Sequence, residues 1–243
     1  MTIHAVDWDA PAKVKAFFTD RVNGVSQGPY QGFNLAQHVG DDAAHVQSNR
    51  DWLNQRSNCS LAWLDQTHSC HSIEISSSTN LNTALAADAS FSRQPGFGCV
   101  VMTADCLPIL ICDQNATVVS AIHAGWRGLA NGIVEQTLAK IAYPNANFSA
   151  WIGPAIGPKR FEVGAEVKQV FVNTNPQASL AFKATNADKY LANLPLLAEQ
   201  KLQQLGIKSI FQSQLCSFDD TRFYSYRREP VTGRFASLIY LEK

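Results

Sequence analysis

Short apolar runs rich in β-branched residues, parted by Gly, Pro, Asn and Asp, predict strands along the chain. They cover Leu61–Leu64, Ser72–Ile75, Cys99–Thr103, Leu107–Cys112, Thr117–Ile122, Ala150–Ile152, Ile207–Phe211 and Phe235–Leu241. Between them the apolar positions change to a helical period. Leu129, Ile133, Val134, Leu138 and Ile141 line one face of a helix after Gly128. Val163, Val167, Val170 and Phe171 line a second, and Leu194, Leu197, Ala198, Leu202 and Leu205 line a third. Asn193 is the expected N-cap of that third helix, with Pro195 in its first turn and Gly206 as its stop. Ala44 to Gln55 carries a fainter fourth pattern. Strands and helices alternate irregularly, and one strand pair reads as a direct hairpin. The predicted fold class is therefore α+β: a single domain over residues 1–243 with a mixed β-sheet core flanked by helices.

The hairpin carries the densest chemistry. Leu107–Cys112 and Thr117–Ile122 flank the polar loop Asp113–Ala116, a length common in hairpins. Symmetry about that loop sets Leu107 opposite Ile122 and Cys106 opposite His123. Directly opposed residues leave the same face with Cβ atoms about 5 Å apart. That spacing suits two ligands of one metal, or a thiol and its base; a slip of one residue would part them. Beyond His123, the segment Ala124-Gly125-Trp126-Arg127-Gly128 leads into the helix. A strand, a glycine turn and a helix start form an anion site to which Arg127 contributes, or simply a tight turn beside a solvated arginine. A catalytic zinc typically takes three protein ligands. His38, His45, His68 and His71 are candidates for the third, and spacing does not choose among them. The glycine-rich stretch from Asn23 to Gly40 is long enough for a functional loop.

Composition narrows the classes. The chain has 243 residues, with 20 Lys and Arg against 20 Asp and Glu. A net charge of zero argues against a nucleic-acid binder. A hydrophobic share of 46% against 16% charged residues excludes gross disorder. No apolar run approaches the roughly 20 residues that span a bilayer, and the first residues lack the basic and apolar parts of a signal peptide. The expectation is a cytoplasmic protein with no membrane partner. Its six cysteines contain no CxxC pair, which excludes a zinc ribbon, and in a reducing compartment most are free and inert.

Thr103-Ala104-Asp105-Cys106-Leu107-Pro108, followed by His123-Ala124-Gly125-Trp126-Arg127-Gly128, resembles the signature of the YfiH-like, laccase-domain family. Members of that family have been called multicopper polyphenol oxidoreductases and purine nucleoside phosphorylases. Further segments match in order: Gly24-Val25-Ser26, Phe33-Asn34-Leu35 and His38-Val39-Gly40-Asp41; Gln66-Thr67-His68; Ile152 to Pro158 with Phe161-Glu162-Val163-Gly164; and Phe223 to Arg228 with Thr232-Gly233-Arg234. The chain departs from the pattern at Ala36, at Lys159-Arg160, where many members have two cysteines, and at Asn193. None of these is a metal position.

The resemblance implies a YfiH-like fold and a metal site made of His68, Cys106 and His123, which also serve as catalytic residues. It selects His68 over His71. Arg127, Asn34 and Arg227, with Arg228 as the alternative to Arg227, are the candidates to hold substrate or phosphate. Imidazole and thiolate suit Zn²⁺, with Cu²⁺ as the alternative ion. The implied reactions are phosphorolysis of adenosine, inosine, guanosine and methylthioadenosine, and deamination of adenosine. The partners are then purine nucleosides and phosphate. Two alternatives stand beside this: a copper-dependent polyphenol oxidoreductase, and a Cys106-dependent hydrolase that edits peptidoglycan precursors with His123 as base. Tyr30, Phe33, Trp126 and Tyr226 lie in the matched segments and either stack on a base or pack in the core. Asp105, the carboxylate nearest to Cys106, either supports the site from behind or is structural.

Overall fold

Leu107–Asp113, Val119–Ala124, Phe148–Ile152 and Phe235–Leu241 are buried along their whole length. Strands apolar on both faces need a layer on each side. The computed structural model, which describes residues 2–141, 147–186 and 188–243, provides two sheets stacked face to face with helices outside them. The five-stranded sheet orders Ile3–Ala5, Val14–Thr19, Phe235–Leu241, Phe97–Thr103 and Ser60–Ala62, antiparallel except for its last pair. The six-stranded sheet orders Ser209–Gln212, Phe148–Ile152, Leu107–Asp113, Val119–Ala124, Ala89–Ser92 and Ser72–Glu74. It is antiparallel in the middle and parallel at both ends.

Between the sheets, Phe18, Val101 and Ile239 share a core with Leu110, Ala121 and Trp151. The alternate residues Ile109, Ile111 and Ile122 face outward, into a core with the helices Ile133–Ile141 and Leu194–Gln204. On the opposite outer face, Leu53 of the helix Ala43–Ser57 joins Val100, Met102 and Leu238. A small three-stranded sheet of Glu162–Gly164, Lys189–Ala192 and Phe182–Asn186 adjoins the helix Ala165–Thr174. The predicted mixed core flanked by helices is present, divided between two sheets. No helix among the described residues is long and apolar enough to cross a membrane.

Several elements differ from the sequence pattern for local reasons. The helix expected after Gly128 is two helices, Trp126–Ala130 and Ile133–Ile141, parted where Gly132 takes a φ of +92°. Val163 lies in a strand before the second predicted helix, and Val170 is exposed on it, so Val167 and Phe171 alone form its inner stripe. The third helix begins where Asn193 accepts the N–H of Leu196; Leu205 falls past its last turn and is exposed. The helix Ala43–Ser57 buries Asn49 and Arg50 beside Val46 and Leu53, which is why its apolar period is faint. Ala89–Ser92 escaped the pattern because its buried positions are filled mainly by serine and alanine.

The hairpin forms, with a register two residues from the symmetric one. Val119 pairs with Cys112 and His123 pairs with Pro108, so His123 does not stand directly opposite Cys106. The cause is Asp113. Its carboxylate accepts the N–H groups of Asn115, Thr117 and Val118 and the Thr117 hydroxyl, which draws Thr117 and Val118 into the loop. A shift of two keeps every side chain on its face, where a shift of one would not. His123 therefore still points to the side where Cys106 lies.

This loop predicts a stability effect. Each buried N–H that loses its acceptor costs about 1–3 kcal/mol. Asp113→Ala should lower the unfolding free energy by about 2–4 kcal/mol, seen as a lower urea midpoint at an unchanged slope. An unchanged midpoint would show that the register is set elsewhere.

Candidate functional site

Cys106 sits just ahead of the Leu107–Asp113 strand, after a turn in which Asp105 takes a φ of +94°. The Asp105 carboxylate accepts the Ser217 hydroxyl and the N–H of Arg227, each at 2.7 Å, and its carbonyl accepts the N–H of Ile156. Asp105 thus ties the segments that surround Cys106 rather than entering a ligand set. His123 arrives near the end of its strand, buried, with its Nδ1 at 2.8 Å from Asp88 Oδ1. His68 arrives on a loop. Gln66 anchors that loop by bonding both the N–H and the carbonyl of Met102 at 2.8 Å. Two residues later His68 takes a φ of +62°, a left-handed conformation uncommon outside glycine, though histidine adopts it more readily than most residues. The same Asp88 carboxylate holds it there, accepting the N–H groups of Thr67, His68 and Ser69 and the Ser69 hydroxyl.

The ligand atoms of His68, Cys106 and His123 lie within 4.8 Å of one another. Cys106 Sγ is 3.6 Å from His68 Nε2, and the two imidazole rings meet edge to face with centroids 4.9 Å apart. Gly125 makes room for them: a Cβ there would lie 2.7 Å from the His68 ring and 2.9 Å from Cys106 Sγ. The set fits a zinc-type ion on three counts. It offers imidazole and thiolate; the Nδ1–Asp88 bond leaves His123 Nε2 for the ion, as in many metal-bound histidines; and His68 is exposed, so one side stays open.

The charges are tuned together. Burial raises the Cys106 thiol, but the charge of His123 and hydrogen bonds from both imidazoles outweigh it and bring it to about 6. Burial lowers His123, but Cys106 and Asp88 hold it up at about 9. Asp88 is brought down to about 2 against its burial, by hydrogen bonds from His123 and Ser69. Burial pushes the Cys59 thiol up to about 11 and those of Cys99 and Cys112 to about 12.

The triad opens into a cleft of about 530 Å³ that is also lined by His38, Trp126, Arg127, Phe161, Tyr226, Arg227 and Arg234. Arg127 is exposed, with its guanidinium 4.4 Å from the centre of the Trp126 ring. The helix behind it is only five residues long, so the expected helix-start field is weak and Arg127 itself carries the charge. Arg227 shares its guanidinium between the carbonyls of Arg160 and Glu162. Burial, aided by Arg234, lowers His38 and favours its neutral form.

Asn34 does not reach the cleft. It is fully buried, and its amide bonds Ala36, Asp41 and the N–H of Arg234. His45 and His71 are not among the lining residues. Of the aromatic candidates, Trp126 and Tyr226 line the cleft, Phe33 is core, and Tyr30 donates its hydroxyl to the carbonyl of Val39.

Sequence reasoning missed Asp88 and took Arg234 only as part of a motif. Asp88 did leave a signal: a lone carboxylate in Ala84-Leu85-Ala86-Ala87-Asp88-Ala89. A charge in an apolar stretch must find partners.

The chain is similar to known proteins over nearly its whole length. The family described as multi-copper polyphenol oxidoreductase laccase matches residues 15–242. A protein of Pseudomonas aeruginosa named purine nucleoside phosphorylase is 46% identical over 238 residues, covering 97% of each chain. The Escherichia coli purine nucleoside phosphorylase YfiH is 43% identical over 96% of each chain. The crystal structure of Neisseria meningitidis protein NMB0706 superposes with a TM-score of 0.95 at 41% identity, over 99% of each chain. YlmD of Geobacillus stearothermophilus gives 0.89 at 27% identity, over 96% of this chain and 93% of the other.

Two measurements follow from the tuned triad. In chelator-treated protein, Cys106 should be alkylated first among the cysteines, half-maximally near pH 6, because its thiolate forms above that pH and is protonated below it. Peptide mapping of iodoacetamide-treated samples reads this, and preferential labelling of Cys59 would contradict it. Elemental analysis should find about one metal ion per chain in the native protein and none in Cys106→Ala.

Proposed function

The chain belongs to the multi-copper polyphenol oxidoreductase laccase family, and on that premise we propose that it is a metal-dependent purine nucleoside phosphorylase that also deaminates adenosine. The observation that carries this reading is a group of three side chains able to hold a metal, exposed at His68, at the wall of a cleft lined by arginines and aromatic rings. Relatives 43–46% identical bear the phosphorylase name.

His68, Cys106 and His123 hold the ion, zinc by donor chemistry with copper as the alternative. When bound, zinc supplies a Lewis acid that lowers the pKa of water to about 7. The remaining work falls to the chain. Tyr226 and the Trp126 face away from Arg127 offer ring surface to a purine, and Arg127, in no ion pair among the described residues, offers its charge to phosphate. Arg227, its hydrogen bonds already shared, contributes mainly charge. Asn34 acts at one remove, through the backbone of Arg234. In phosphorolysis a phosphate oxygen bonds to ribose C1′ as the bond from C1′ to the base nitrogen breaks, and the base leaves with a proton. In deamination water adds at C6 of adenosine and ammonia leaves. Adenosine, inosine, guanosine and methylthioadenosine share a purine joined to C1′ of a ribose ring, in the last with a methylthio group at C5′, and such a cleft would grip both parts.

A copper oxidoreductase has the family description behind it. Among the described residues, however, His68, Cys106 and His123 form the single such cluster, which favours one ion over several. A Cys106 hydrolase has the lowered thiol behind it.

Product analysis separates the three. With phosphate, metal-loaded protein should turn inosine into hypoxanthine and ribose 1-phosphate, and should release ammonia from adenosine. Both activities should vanish in His123→Ala. Hypoxanthine missing at every phosphate concentration would overturn the phosphorylase, and copper-dependent oxidation of a phenol would install the oxidoreductase. Metal-independent activity abolished by alkylation would install the hydrolase. A charge-assisted contact is worth roughly 1.5–3 kcal/mol, so Arg127→Ala should raise the KM for phosphate about tenfold or more; an unchanged KM would leave Arg127 a surface charge.

A further inference from the structure

Three arginines line the cleft, and they are not equivalent. The guanidinium of Arg227 is spent on two carbonyls. Arg127 stands exposed at the rim. Arg234 is partly buried, and only its Nη1 is engaged, on the carbonyls of Thr232 and Gly233 at 3.0 and 2.9 Å. Its Nε and Nη2 make no hydrogen bond among the described residues, and no carboxylate pairs with it. Of the ionisable groups that act on it, Cys106 and Asp105 come first, ahead of Tyr226 and Tyr30. Both have other work, Cys106 in the metal group and Asp105 on Ser217 and Arg227. A guanidinium drawn out of water without an acid partner is costly. Its two unused donors form a planar fork that matches a tetrahedral oxyanion.

The surroundings of Arg234 are built to hold it. Its N–H donates to Asn34 Oδ1 at 2.9 Å, and its carbonyl accepts the N–H of Leu35. Asn34 is locked in turn by Asp41 and Ala36. A Cβ on Gly233 would meet the Tyr224 ring at 2.7 Å and Asn34 at 2.9 Å, so no side chain fits beside Arg234. Tyr224 itself donates its hydroxyl to the carbonyl of Tyr30. The N-terminal loop and the Thr232-Gly233-Arg234 segment thus close around one residue whose Nε and Nη2 have no protein acceptor among the described residues.

We infer that Arg234 is the inner phosphate-binding residue of the cleft, and that Asn34 is the positioning residue that sets it; the inference rests on the phosphorylase reading. The ligand class is a tetrahedral oxyanion, inorganic phosphate as co-substrate, taken between Arg234 and the rim cation Arg127.

The test measures steady-state phosphorolysis of inosine by the metal-loaded protein, varying phosphate and inosine separately, together with calorimetric binding of inorganic phosphate. Arg234→Gln should raise the KM for phosphate at least tenfold, change the KM for inosine less than twofold, and weaken phosphate binding in parallel. Asn34→Ala should move the same constant in the same direction by a smaller factor. If Arg234→Gln does not fold, Arg234→Lys, which keeps the charge and loses the fork, should still raise the phosphate KM several-fold with the inosine KM unchanged. A wild-type enzyme that makes ribose 1-phosphate, beside variants with unchanged phosphate KM and binding, overturns the role of Arg234 alone. A wild-type protein that makes no ribose 1-phosphate at any phosphate concentration overturns the phosphorylase reading itself, and this inference with it.

Discussion

The carboxylate of Asp88 joins two parts of the chain that have no other reason to meet. It accepts His123 Nδ1 on one side and the backbone N–H groups of Thr67, His68 and Ser69 on the other. Burial alone would raise its pKa; the hydrogen bonds reverse that and hold it ionised at about 2. The arrangement is self-consistent. The charge needs the donors, the left-handed turn at His68 needs the charge, and the ring of His123 needs an acceptor behind it to present Nε2 to the cleft. Asp88 precedes the strand Ala89–Ser92, which pairs with the strand that carries His123, so the sheet itself delivers the carboxylate to its place.

The parts of this site that were legible in sequence are those made by neighbours along the chain. The Asn193 cap and the side shared by Cys106 and His123 follow from local spacing, and the latter survives a register error of two because the strand period is two. The error arose in a loop whose geometry depends on one acceptor, Asp113, serving three N–H groups. His68 and Asp88 were not legible from spacing, since their meeting with His123 depends on how strands distant in sequence pair. The family resemblance chose His68 where periodicity could not. Asn34 shows the reverse case: a residue in a matched motif whose effect on the cleft passes through another residue's backbone.

The cleft divides its labour by burial. His123 and Asp88 lie inside, where hydrogen bonds fix geometry; Cys106 and Arg234 are half covered; His68, Arg127 and Tyr226 face solvent at the mouth of the cleft. That gradient suits a reaction with a charged co-substrate and a flat aromatic one.

The Asp88 carboxylate brings His68 and His123 together beside Cys106. The direct measurement is zinc affinity, by competition with a chelating dye, for the native protein and for Asp88→Asn with its fold verified. An amide keeps the size of Asp88 but lacks the charge and acceptor capacity to serve His123 and three N–H groups at once. The variant should bind zinc about 10–100-fold more weakly; an unchanged affinity would mean that the site assembles without the Asp88 charge.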